Sequence, residues 1–232
     1  MKLMHTSHVP AGDGPFPTLL LLHGWGANAH DLLGLAPLIH GGEALVLCPQ
    51  GPVSFPVGGG MKGYGWFPLV PGSPPDPEAF RHGVEGLRAF LDAALERYPI
   101  DRERLAVAGF SQGGAMAYAL ALGEPQLWSG LMALSSWLPA PLAEAVEPSP
   151  EHEGLPTLIV HGTRDAMLDV ERARESREAI RRFGVALTYR EFDMGHEVGR
   201  EALQVILRWL DDKAFAGRAV GSATRAVRAV PS

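Results

Sequence analysis

Arg104 to Gly114 reads RLAVAGFSQGG, an apolar run, a glycine, a serine between two more residues, and two further glycines. The apolar part, Leu105–Ala108, is continuous rather than alternating, which suits a strand buried on both faces of a parallel sheet. Gly109-Phe110-Ser111-Gln112-Gly113 follows at once, and a helix-forming run from Ala115 to Leu122 comes next. A strand that turns sharply into a helix through G-x-S-x-G is the layout of a nucleophile elbow. Its glycines leave room for the strand and helix to approach. Its serine stands above the sheet at a helix N-terminus, where main-chain N–H groups face developing negative charge. Ser111 is therefore the candidate nucleophile, although a glycine-rich turn with a capping serine has the same letters.

Working outward, further short apolar runs bounded by turn residues predict strands at Thr18–Leu22, Ala44–Leu47, Leu131–Leu134, Thr157–Val160 and Leu187–Phe192. Between them lie helical patterns. Phe80, Val84, Leu87, Leu91, Ala94, Leu95 and Tyr98 form one stripe behind an Asp76-Pro77 start. Val170–Phe183 is amphipathic with Gly184 as its stop, and Glu197–Phe215 carries Leu203, Ile206, Leu207 and Leu210 on one face. Alternating strands and helices predict an α/β fold with a mostly parallel central sheet, its site at the C-terminal strand ends. Residues 50–77, rich in Gly and Pro, predict a long irregular loop forming a lid or pocket wall. Residues 1–215 are expected to form the catalytic domain. Residues 216–232, small and basic without an apolar period, are expected to be a disordered tail or an appended stretch.

A serine nucleophile needs a base and a group to orient it. In elbow enzymes the chain order is serine, acid, histidine. His196 follows the last predicted strand and is the candidate base. Asp165, just past the strand Thr157–Val160, is the candidate acid, with Asp169 and Asp193 as competitors. The oxyanion donors are expected to be the main-chain amides of Gln112 and of Trp25, in His23-Gly24-Trp25-Gly26 after the first long strand. His23 is read as a support for that loop. Trp25, Trp66, Phe110, Trp137, Leu138, Met167 and Leu168 are expected around the acyl site.

Composition limits the alternatives. Apolar residues make up 46% of the 232 and charged residues 20%, which excludes a disordered chain. Three of the 20 basic residues, Arg218, Arg225 and Arg228, lie in 214–232 with no acid. The rest of the chain then carries 17 basic against 26 acidic residues, a net −9. So acidic a body lacks the footprint that nucleic acid requires. One cysteine, Cys48, rules out an internal disulfide, and no Cys/His pattern has metal-ligand spacing; a serine, histidine and aspartate acting together need neither metal nor organic cofactor, so none is expected. No run reaches the ~18 apolar residues of a membrane span, and no signal-peptide layout is seen, so a cytoplasmic location is expected. The expected partner is a small-molecule substrate, and the reading admits a homodimer.

Six ordered motifs resemble the carboxylesterase / acyl-protein thioesterase family of α/β-hydrolases, also called the phospholipase/carboxylesterase family. They are LLHGWGANAHDL at 21–32, GWFPL at 65–69, GFSQGG at 109–114, LSSWLP at 134–139, HGTRD at 161–165 and MGHEV at 194–198, so the likeness runs over about residues 15–212. The resemblance implies an α/β-hydrolase fold without a large cap domain. It also implies Ser111, Asp165 and His196 as triad, the Trp25 and Gln112 amides as oxyanion hole, and Trp66 with the 50–77 loop beside the acyl pocket. Two positions depart from the family's habit: Trp25, often leucine, and Ser136, often glycine. The implied activity is a carboxylesterase for short to medium acyl chains. The alternatives are an acyl-protein thioesterase or lysophospholipase and, from another class, a catalytically silent binding module.

Overall fold

The computed structural model describes residues 3–70 and 75–216, so the expected tail falls, but for Ala216, outside the described residues. In chain order the elements are β1 (His5–His8), β2 (Phe16–Leu22), β3 (Leu45–Pro49), β4 (Val53–Gly58), β5 (Met61–Gly65), α1 (Pro77–Arg97), β6 (Ile100–Phe110), α2 (Gln112–Gly123), β7 (Gly130–Leu134), α3 (Ala140–Ala145), β8 (Pro156–Gly162), α4 (Val170–Ile180), β9 (Ala186–Phe192) and α5 (Arg200–Trp209). Seven strands form one sheet in the order β1-β3-β2-β6-β7-β8-β9. Only β1 runs antiparallel, as an edge strand on β3. The sheet and its flanking helices give the α/β-hydrolase fold.

All six apolar runs are strands, because each supplies side chains to both faces. Leu20, Leu22, Val107, Leu131 and Ile159 pack under α1, α2 and α4. Leu19, Leu21, Ala106, Ala108, Met132 and Val160 pack on the other face against α5 and a 3-10 segment, Leu33–Gly42. Register puts Leu22 beside Gly109, Phe110 beside Leu134, Leu134 beside Val160, and Gly162 beside Phe192. The strands thus end in a row, and the loops after them converge on one rim.

The Asp76 side chain accepts from the Glu78 amide, with proline following, so α1 starts where the cap pattern predicts. Gly184, at φ 68°, closes the turn after α4. The last helix differs from expectation. It begins at Arg200, and after Trp209 it widens into a π-turn over Leu210–Ala214, closed by the Phe215 amide on the Leu210 carbonyl. The loop expected over 50–77 holds a two-stranded hairpin, β4–β5, off the main sheet. Among the described residues this hairpin is the largest insertion at the rim, and no cap domain is present.

Candidate active site

Ser111 links β6 to α2 at φ 53° and ψ −119°, a conformation side-chain-bearing residues rarely adopt and one costing on the order of 1–3 kcal/mol. Two glycines make it feasible. A Cβ on Gly109 would run into the Gly113 carbonyl, and one on Gly113 into the Leu22 and His23 carbonyls. The Ser111 carbonyl is held away from the rim by the Gly114 amide at 2.9 Å and the Ser136 hydroxyl at 2.7 Å. The hydroxyl is left facing the loop after β9.

That loop brings in His196. Its Nε2 lies 3.0 Å from Ser111 Oγ, and its Nδ1 lies 2.7 Å from Asp165 Oδ2. A carboxylate only accepts, so Nδ1 carries the hydrogen and the Nε2 lone pair faces the serine hydroxyl. The other Asp165 oxygen, Oδ1, accepts from the amides of Met167 at 3.0 Å and Leu168 at 2.8 Å. Burial by itself pushes this carboxyl up. The Leu168 amide, the His196 bond and the Met167 amide outweigh it and hold the group below the ordinary aspartate value, so it is anionic at neutral pH. Gly162 allows the approach, since a Cβ there would meet the Met194 and Gly195 carbonyls. Asp169 instead caps α4 through the Glu171 amide, and Asp193 is exposed and paired with Arg164.

The loop after β2 is fixed from below. The His23 Nε2 accepts from the Gly51 amide at 3.0 Å, so its Nδ1 carries the hydrogen and donates to the Gly24 carbonyl at 2.8 Å. Burial lowers the His23 pKa, which keeps the ring neutral in that post. The Gln112 side chain, completely buried, accepts from the Trp66 amide at 2.8 Å and donates to the Phe67 carbonyl at 2.7 Å. The Trp66 indole in turn donates to the His23 carbonyl at 2.8 Å. The Gly26 amide bonds the Tyr64 carbonyl and the Tyr64 amide the Ala27 carbonyl, joining the loop to β5. Among the described residues no protein acceptor takes the main-chain N–H of Trp25 or Gln112. Both donors are thus free to meet a developing negative charge, and Gln112 directly follows the serine.

Cys48 offers no second nucleophile: burial pushes its thiol up to about 12, with a bond to Thr6 opposing. Among the described residues no group of three or more His, Cys, Asp or Glu side chains has the proximity to hold a metal ion, and no helix is long and apolar enough to cross a membrane.

Comparison with known proteins gives the context of this geometry. The phospholipase/carboxylesterase family matches residues 5–213. The chain belongs to the phospholipase/carboxylesterase family. A rice protein (Oryza sativa subsp. japonica) named as a probable carboxylesterase is 30% identical over 168 residues, 70% of this chain and 62% of that protein. The chain therefore spans less than two thirds of the rice protein's length. Acyl-protein thioesterase 1 of Gibberella zeae is 27% identical over 219 residues, 87% of this chain and 92% of that protein. The crystal structure of the Bacillus cereus carboxylesterase superposes with a TM-score of 0.77 at 25% identity, covering 90% of this chain and 94% of that one.

The residues expected to line an acyl pocket in this phospholipase/carboxylesterase member divide into three sets. Trp66 and Leu138 are sealed in the core, 1% and 7% exposed, because the indole is held by His23 and the Leu138 amide by Ser176 Oγ. They support the rim rather than line open space. Trp25, Phe110, Trp137 and Leu168 are partly exposed. Trp25 stacks on Phe55 of β4, ring centroids 4.0 Å apart, in the space left by the missing side chain of Gly65. The Phe110 ring lies 4.9 Å from that of His196. Met167 stands out into solvent. Sequence reasoning missed an apolar cavity of about 290 Å³ between the 3-10 segment and α5, lined by Leu32, Leu35, Phe110, Val198, Leu203 and Leu207 among others. Its signal in the sequence was the leucine face of α5, read only as the apolar side of an amphipathic helix.

Proposed function

We propose that the protein is a serine hydrolase that cleaves carboxylic esters of short to medium acyl chains through an acyl-enzyme. The observation that carries this reading is the continuous relay from Ser111 Oγ through His196, 3.0 Å on one side and 2.7 Å on the other, to a carboxylate held anionic. His196 Nε2 takes the Ser111 proton as Oγ attacks the ester carbon. Asp165 holds the Nδ1–H tautomer and stabilises the imidazolium. The Trp25 and Gln112 amides receive the oxyanion, each worth ~2.7–4 kcal/mol of barrier by analogy with other such donors. His196 then protonates the leaving alkoxide, and water repeats the sequence on the acyl-enzyme to release the acid.

The short-chain preference rests on bulk near the rim, where Trp25 and Phe55 stack as a wall and Trp137, three residues past the end of β7, is partly exposed. Each methylene that finds a place should raise kcat/KM about fourfold, from ~0.8 kcal/mol per CH₂. The gain should stop around acyl lengths of roughly four to eight carbons. The test is a series of p-nitrophenyl esters from acetate to palmitate beside acyl-CoA thioesters and a lysophospholipid, with fluorophosphonate labelling of wild type and Ser111→Ala. Loss of label and of activity by several orders of magnitude in Ser111→Ala is expected. Retention of a tenth of the activity would remove Ser111 from the mechanism, and a maximum at palmitate would remove the short-chain reading. A thioesterase remains the second reading, favoured by the near full-length match to a protein of that name.

A further inference from the structure

His161, at the end of β8, is completely buried and does no work in the mechanism just given. Its Nε2 lies 2.8 Å from the Leu168 carbonyl and 3.3 Å from Asp165 Oδ2. A carbonyl only accepts, so Nε2 carries the hydrogen. The Nδ1 lone pair of the neutral ring then has no partner among the described residues. An unpaired polar atom in a dry site costs on the order of 1–3 kcal/mol. A phenylalanine or leucine would fill the same space without that cost, so packing alone does not account for an imidazole here.

We propose that His161 is a positioning residue for Asp165, which rests on the reading of Asp165 as the carboxylate that orients His196. The bonds close a ring. His161 Nε2–H anchors the Leu168 carbonyl, and the Leu168 amide donates to Asp165 Oδ1 at 2.8 Å, beside the Met167 amide at 3.0 Å. The loop that carries both amides is thereby tied to β8. The same N–H presents its positive end to Oδ2, the oxygen that receives His196 Nδ1–H. His161 thus fixes where the carboxylate points and offsets part of its charge on the side turned to the base. The other charged groups near this loop have separate engagements: Arg164 pairs with Asp193, and Asp169 caps α4. Glu191, across from His161 in the β8–β9 register, is held by Arg174. Glu197 adjoins His196 in sequence.

Two substitutions separate donor from volume. His161→Phe keeps the bulk and removes the N–H, whereas His161→Gln keeps an amide N–H at the ε position. With p-nitrophenyl butyrate, His161→Phe should lower kcat by roughly 10- to 100-fold, the size of a small misplacement of a reacting group, with KM changed less than about twofold. Losing the N–H leaves more negative charge on Oδ2, which favours the His196 imidazolium. The acidic limb of the pH profile of kcat/KM should therefore move up by about 0.5 unit. His161→Gln should return kcat to within about threefold of wild type and the limb to its place. Rates are expressed per fluorophosphonate-titrated site, so a poorly folding variant is still read on its competent fraction, and His161→Met serves as a second donor-free variant. Unchanged kcat and an unmoved limb in the Phe and Met variants would overturn the proposal, as would Gln behaving like Phe. Failure of the triad reading looks different: Asp165→Asn would keep wild-type activity whatever residue stands at 161.

Discussion

Replacing Gln112 by Met tests whether the side chain and the main chain of one residue do separate jobs. The main-chain N–H of Gln112 faces the proposed oxyanion position, while the side chain joins the Trp66 amide and the Phe67 carbonyl at 2.8 and 2.7 Å. Trp66 and Phe67 are 1% and 0% exposed, so water has no route to replace the lost partner. Methionine keeps the length and abandons both groups. Each orphaned group costs about 1–3 kcal/mol, so the pair should cost about 2–6 kcal/mol. For a domain whose total stability is of order 5–15 kcal/mol, that is a large fraction. With a urea m-value near ~3 kcal/mol/M, the midpoint should fall by roughly 0.7–2 M at unchanged m. Tryptophan fluorescence during urea unfolding reads this directly, since Trp66 is one of the groups released. The donor at 112 survives the substitution, so kcat per titrated site should fall less than about tenfold. A midpoint loss below ~0.3 M would refute the clamp. A kcat loss of about 1,000-fold in well-folded protein would refute the division of labour.

Asp165→Asn should lower kcat on the order of 10⁴-fold by stabilising the wrong His196 tautomer, while Asp169→Asn and Asp193→Asn should cost far less; steady-state rates on one ester rank the three, and a larger loss at either competitor would move the acid. Trp25→Leu should shift the acyl-length optimum to longer chains if the indole on Phe55 walls the site, and an unchanged optimum would place Trp25 outside the acyl path. Glu191 tests acid behaviour at the β9 edge. Bonds from Arg174, with Tyr189 Oη donating as well and burial opposing, hold its carboxyl down to about 2. A lowered folded value means the contribution is present above the unfolded value of ~4.3 and is lost as pH falls toward 2. Arg174→Met should raise the acid-unfolding midpoint followed by circular dichroism, and identical midpoints would show that the network does not stabilise the edge.

Strands buried on two faces announce themselves, because every residue must be apolar; hence Thr18–Leu22 and Leu131–Leu134 were legible. β1 was not, since an edge strand reading His-Thr-Ser-His leaves no apolar run. The β4–β5 hairpin was hidden by Pro56 and three consecutive glycines, Gly58 to Gly60, which look like loop and here make an off-sheet ribbon with a turn. The elbow was legible because close packing requires glycine at 109 and 113 and nothing larger. The positions of Asp165 and His196 after strand ends were legible as order, but their 2.7 Å contact came from tertiary approach at Gly162. The Gln112 clamp gave no signal at all. A glutamine after the serine reads as polar surface, and only the path of the chain at Trp66 buries it. Trp66 was misplaced for the same reason, because an aromatic in an irregular loop looks available until its indole finds a carbonyl.

The row of strand ends has a consequence for how the protein comes to life on the ribosome. Ser111 precedes its partner His196 by 85 residues, and the base sits beyond β9, the last strand laid onto the sheet. At ~5–20 residues per second the proposed nucleophile is synthesised roughly 4–17 s before the group proposed to activate it. Through that interval the nascent chain carries a serine on its elbow with nothing to draw off the proton. On the proposed triad, turnover would begin only when β9 docks and brings His196 to the rim, so the first hydrolysed ester would time the closing of the sheet.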